Sequence, residues 1–198
     1  IFGPSSVLYG SDALGGTVNM RTKELYFRSE GNWSGETFVG YNSASNSLKN
    51  NISVLFESSK YSNITSISLK KFGDLKMGSY RPHGYENWGL VHHYINEDGE
   101  TVCNPNPNVQ KGTAYSQYDF FNKTIIKTSE NSRITSNIQY STSSNIPRFD
   151  KLNDGDQICS LDNLGTCSVG EDMKFHSYYY GPQNRFFSSL KFTLLESL

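Results

Sequence analysis

The chain has 198 residues and a formal net charge of −1, with 18 Lys and Arg against 19 Asp and Glu. That balance gives nucleic acid no electrostatic footprint, and no apolar run approaches the roughly twenty residues of a transmembrane helix. Hydrophobic residues are only 35% of the chain, yet 13 Tyr and 12 Phe are present, which is odd for a soluble core and suits a β-barrel with a polar lumen and aromatic rims.

The first stretch is dominated by small residues. Gly3-Pro4 and Gly10-Ser11-Asp12 are turn signals, Gly15-Gly16 permits a tight corner, and Thr17 to Arg21 alternates as a short strand. Gly3, Pro4, Ser6, Tyr9, Gly10, Ala13, Gly16 and Asn19 together make a long spaced pattern. It resembles the end of the plug domain of TonB-dependent outer-membrane receptors. The resemblance implies that residues 1–23 end a plug and that residues 24–198 begin the barrel. It also implies a receptor in the bacterial outer membrane, in contact with outer-membrane lipid. Such a receptor takes up a scarce, bulky ligand such as an iron–siderophore, haem, cobalamin or glycan. Energy would come from the TonB complex through a segment outside this sequence. Ile1 falls in mid-pattern and the last strand runs almost to Leu198, so the chain is expected to be an internal piece of a longer protein.

Glu24 to Asn32 is polar and is expected to link plug to barrel. Six strands follow: Thr37–Ser43, Leu48–Glu57, Asn63–Phe72, Tyr115–Thr128, Arg133–Ser144 and Tyr180–Leu195. Most alternate apolar and polar residues with the period of two of a half-buried strand, but Phe38 opposite the Val39 and Tyr41 face leaves the register of the first open. The expected outward row includes Ile52, Val54, Phe56, Ile67, Leu69, Tyr118, Phe120, Ile134, Phe186, Leu190 and Phe192. Lys70, Asp119, Lys123, Arg133 and Lys191 would face the lumen. Phe121 and Ile125 break the alternation and are expected to pack on the plug. The connections run short, short, long, short, long. Both long loops, residues 73–114 and 145–179, then fall on one side, the asymmetry of an outer-membrane barrel. Within the first, Val91–Tyr94 and Glu100–Cys103 should pair around an Asp98-Gly99 turn. Phe72 to Ser79, Tyr140 to Asp150 and Tyr179 to Gln183 resemble segments of receptors from the Bacteroidetes branch of the family.

No enzyme is expected: GxSxG, HExxH and P-loop motifs are all missing, and His83, His92, His93 and His176 all lie in loops. His92 and His93 alternate across a strand and are poorly placed to hold one metal ion, so no metal or cofactor is assigned. Cys159 and Cys167 share one polar loop, where either a local disulfide or free thiols would fit, and Cys103 is left over. Tyr80, Arg81, Tyr85, Trp88, Tyr94, Arg148 and Phe149 are the candidate contacts to a small-molecule or oligosaccharide ligand, because aromatic and Arg side chains anchor recognition. The fold class is all-β, an antiparallel transmembrane barrel fragment of about six strands. The alternative is a soluble extracellular β-sandwich that displays the same two loops and buries its apolar row against a second sheet.

Overall fold

The computed structural model describes residues 18, 21–82, 84–85, 88–149 and 177–194. The expected plug motif, apart from the flanking Val18 and Arg21 onward, lies outside them, as do His83, Cys159, Cys167 and His176.

Twelve strands are present among the described residues: β1 Asn32–Asn42, β2 Ser47–Glu57, β3 Tyr61–Phe72, β4 Leu75–Lys76, β5 His93–Ile95, β6 Thr101–Cys103, β7 Val109–Gln110, β8 Tyr115–Ser129, β9 Ser132–Ser143, β10 Ile146–Pro147, β11 Tyr179–Tyr180 and β12 Asn184–Leu194. The six long ones form a single antiparallel sheet in the order β1-β2-β3-β8-β9-β12. The sheet is open, with β1 and β12 at its edges. The remaining strands form three two-stranded ladders, β4-β7, β5-β6 and β10-β11.

Two boundaries differ from the expectation by four residues or more. β1 begins at Asn32, because its backbone pairs with β2 from Asn32↔Glu57 onward even where its side chains carry no alternation. The last long strand begins at Asn184 rather than Tyr180. Gly181 and Pro182 interrupt it, since proline lacks the N–H a ladder needs. Tyr179 and Tyr180 pair instead with Pro147 and Ile146.

The register sorts the side chains into two unlike faces. On one face Ile52, Ile67 and Phe120 lie level across β2, β3 and β8, and Phe120, Tyr140 and Phe186 continue the row. Seventeen of the nineteen exposed large hydrophobic residues in the six long strands lie on this face; only Phe38 and Phe187 lie on the other. Lys71, at the long-loop end of β3, is its single charged residue. The other face carries Glu36, Lys49, Glu57, Lys70, Asp119, Lys123, Lys127, Arg133, Arg185 and Lys191. We call these the outer and inner faces.

The buried core is small and sits on the inner face. Leu25 is 6% exposed and packs with Ile64 and Ile125, flanked by Phe27, Leu55 and Phe121. Residues 22–28 therefore form an extended strap docked on the sheet rather than a loose polar link. Sequence polarity hid this because Leu25 and Phe27 alternate with Glu24, Tyr26 and Arg28, so one side of the strap is apolar. Phe121 and Ile125 break the alternation of β8 because they meet this strap. Arg28 Nε bonds Glu57 Oε2 at 2.5 Å, Arg28 N donates to Ser58 O, and Lys123 Nζ reaches Lys23 O at 2.8 Å. Burying Leu25 contributes about 2 kcal/mol to docking. The half-exposed Arg28 limits its ion pair to about 1 kcal/mol or less.

Candidate functional site

The two short turns 58–60 and 130–131 lie at one end of the sheet. The turn 43–46 and both long connections lie at the other. The candidate contact residues thus lie in loops at one end of the sheet, the usual division of labour between loop and scaffold.

The first long loop is ordered by three devices. β4 pairs with β7, placing Leu75 opposite Gln110. β5 pairs with β6, His93 opposite Cys103, around a turn in which Gly99 takes φ of 82°; this is the expected hairpin, shifted by about two residues at its start. Buried Asn104 donates to Val91 O and Val109 O at 2.8 Å each, while its Oδ1 accepts from Asn106 N. An Asn side chain so saturated acts as a backbone splint.

Arg81 is a second hub. Its guanidinium bonds Asn108 Oδ1 at 2.7 Å, Ser79 O at 3.2 Å, Trp88 O at 3.3 Å and the Met77 sulfur. Arg81 therefore holds the loop's shape, with its fork already engaged, while Tyr80, Tyr85 and Trp88 around it are 86%, 71% and 68% exposed. Trp88 N donates to Tyr85 O and Gly84 N to Arg81 O, so these candidates form one local turn. Tyr94 stands apart, half-buried in β5 opposite Val102. Arg81→Lys keeps the charge but cannot span the same acceptors. It is expected to speed amide exchange across 77–108 by about tenfold, from roughly 1–2 kcal/mol of lost bonding, with the six-stranded sheet unchanged. Hydrogen-exchange mass spectrometry checks this.

Arg148 and Phe149 belong to the second long connection. Arg148 Nη1 donates to Tyr180 Oη at 2.8 Å, its guanidinium carbon lies 5.0 Å from the Tyr180 ring centre, and its backbone N bonds Tyr178 O. Tyr180, expected at the start of the last long strand, instead pairs with Ile146, and Tyr179 with Pro147, at the base of this connection. Cys103 is disulfide-bonded, which corrects the expectation that it is left over. Spacing alone gives it no partner. His93 is buried and His92 O accepts from Asn104 N, so both serve the hairpin. No group of three or more metal-ligating side chains occurs among the described residues.

Below the loops, the inner face carries a polar network. Asp119 accepts from Lys70 at 2.7 Å, from Gln117 at 2.8 Å and from Ser141. The outer face treats its polar groups differently. Asn63 donates to Thr124 at 2.7 Å, Thr124 to Asn122 at 3.2 Å, Asn122 to Thr65 at 2.8 Å and Thr65 to Asn63 at 3.1 Å. This ring satisfies its own polar atoms without water, and alternation alone gave no sign of it.

Comparison with family models, with curated proteins and with solved structures found no match to this chain.

Proposed function

We propose that the six-stranded sheet is part of the wall of a transmembrane β-barrel, in an outer-membrane receptor of the TonB-dependent kind that imports a scarce bulky ligand. The observation that carries the reading is the asymmetry of the faces. Soluble monomers rarely expose apolar patches beyond a few hundred Å², yet the outer face leaves Ile52, Ile67, Leu190, Phe192 and Leu194 each 50% exposed or more. A lipid-facing surface needs such a band with charge only at its ends. Eleven residues of strand span about 36 Å. Tilted by about 40° they rise roughly 28 Å, against an apolar band of about 25 Å.

Three further features agree. The hydrogen-bonded ring of Asn63, Thr65, Asn122 and Thr124 suits a surface where unmet polar groups are costly. Both sheet edges are open, and a bilayer requires them to be paired with further strands. The strap enters on the charged inner face, where a plug would lie in a receptor. Tyr80, Tyr85 and Trp88 then stand at the outer mouth as ligand contacts, with Arg148 and Phe149 in the neighbouring loop.

The test is import by intact cells. Deleting the gene should abolish growth on one of iron–siderophore, haem, cobalamin or a glycan as sole source, and a protonophore should abolish accumulation of the same compound. A Tyr80→Ala, Tyr85→Ala, Trp88→Ala triple variant should stay in the outer membrane and lose at least about 2 kcal/mol of binding to that compound. Unchanged growth on all four would overturn the reading. Recovery of the protein as a soluble species would favour a β-sandwich binding module.

A further inference from the structure

Where the strap crosses the inner face it roofs a groove of ≈ 400 Å³, lined by Thr22, Glu24 and Tyr26 above and by Lys123, Arg133, Asn137 and Lys191 among the residues of the wall. The volume is in the range of ligand-binding clefts. Two observations bear on what it takes. First, the groove holds three cations and one carboxylate. Lys123 is engaged by Thr22 Oγ1 and Lys23 O, whereas Arg133 and Lys191 have no acidic partner among the described residues. Glu24 is occupied by Tyr26, whose hydroxyl donates to it at 3.1 Å and is raised above its ordinary pKa by that bond. Second, the strap is extended, yet Arg28 N to Ser58 O is its one backbone–backbone bond among the described residues. Unpaired extended backbone is a template for an added strand.

A free oxyanion answers the cations only. An apolar segment answers the open backbone only. An extended acidic peptide answers both: its carboxylates meet Arg133 and Lys191, and its backbone pairs with the strap. We propose that this groove docks an acidic, extended peptide segment of a partner protein, which adds to the strap as a strand. The proposal stands on the groove's own chemistry and does not depend on what the loops bind.

The experiment uses the full chain in detergent micelles and a fluorescein-labelled hexapeptide of alternating Glu and Thr. Anisotropy should show binding that falls as salt rises. The Arg133→Gln, Lys191→Gln double variant should weaken it by about tenfold or more, since two charge-assisted bonds are lost. The charge-preserving double variant Arg133→Lys, Lys191→Arg should retain binding, which separates lost charge from lost folding. Arg185→Gln, on the same face but outside the groove, should leave it unchanged. Bound peptide should slow amide exchange at Glu24 to Phe27. The proposal is overturned if a Lys-for-Glu peptide binds equally well, if Arg185→Gln weakens binding as much as the double variant does, or if inorganic pyrophosphate displaces the peptide while the strap amides stay unprotected. The last result would mean an oxyanion site only. Dimerisation of the peptide-free protein through this face would also overturn it, by giving the groove to a second copy.

Discussion

Ile67→Lys is expected to cost about 2–4 kcal/mol of stability in a lipid bilayer, while Ser66→Lys next to it is expected to cost roughly 1–2 kcal/mol. The two positions are adjacent in β3 and point to opposite faces. Ile67 is half exposed, pairs with Ile52 and Phe120, and has no charged residue within the outer face around it. A charge there meets hydrocarbon at mid-strand. Ser66 lies between Ser53 and Phe121 on the inner face, close to the Lys70–Asp119 pair. A charge there stays on the polar face and costs only the two bonds that the Ser66 hydroxyl accepts from Asn51 and Ser53. Urea titration of the protein in vesicles, followed by Trp emission, measures both. Equal losses at the two positions would remove the distinction between the faces.

The second large effect belongs to the strap. Leu25→Ala should loosen its docking by about 2–3 kcal/mol, the cost of emptying a well-filled apolar site. Opening of the strap should then rise on the order of 30- to 150-fold, because each 1.4 kcal/mol is a factor of ten. The readout is trypsin cleavage after Lys23 and Arg28, both within the strap. The sheet should survive, since Ile64 and Ile125 remain in paired strands. Phe38→Ala removes a larger side chain from the same face, but one that is 56% exposed and outside the Leu25 cluster. It should leave cleavage unchanged. Equal cleavage of the two variants would mean that Leu25 does not anchor the strap.

Six strands, their order of appearance and their two faces were legible in the sequence, because a period of two is local information. Ile52, Val54 and Phe56 read as one row before any pairing was known, and the register places them so. What was illegible is what depends on distant partners. Leu25 looks isolated in a polar stretch until Ile64 and Ile125 come beneath it. Nothing in the sequence marks Asn104, and Arg81 reads as a ligand contact, yet each satisfies backbone or side-chain acceptors within its own loop. Cys103 could not be matched by spacing, since its bridge is set by the fold. The expected last strand starts at Tyr180 because the apolar pattern resumes at Phe186, and only the missing N–H of Pro182 says that the two must be separate.

The account rests on the outer face meeting lipid, and the two tryptophans report on it directly. Trp33 is 71% exposed on that face near the short-turn end, beside Phe56 at 4.6 Å between ring centres. Trp88 is 68% exposed in a loop at the opposite end. The protein is placed in vesicles whose lipids are brominated along the acyl chains, as Trp88→Phe and Trp33→Phe variants that leave one emitter each. Strong quenching of Trp33 with Trp88 spared is the predicted result. Trp33 emission indifferent to the bromine, or Trp88 quenched at least as much, would contradict a membrane-facing sheet.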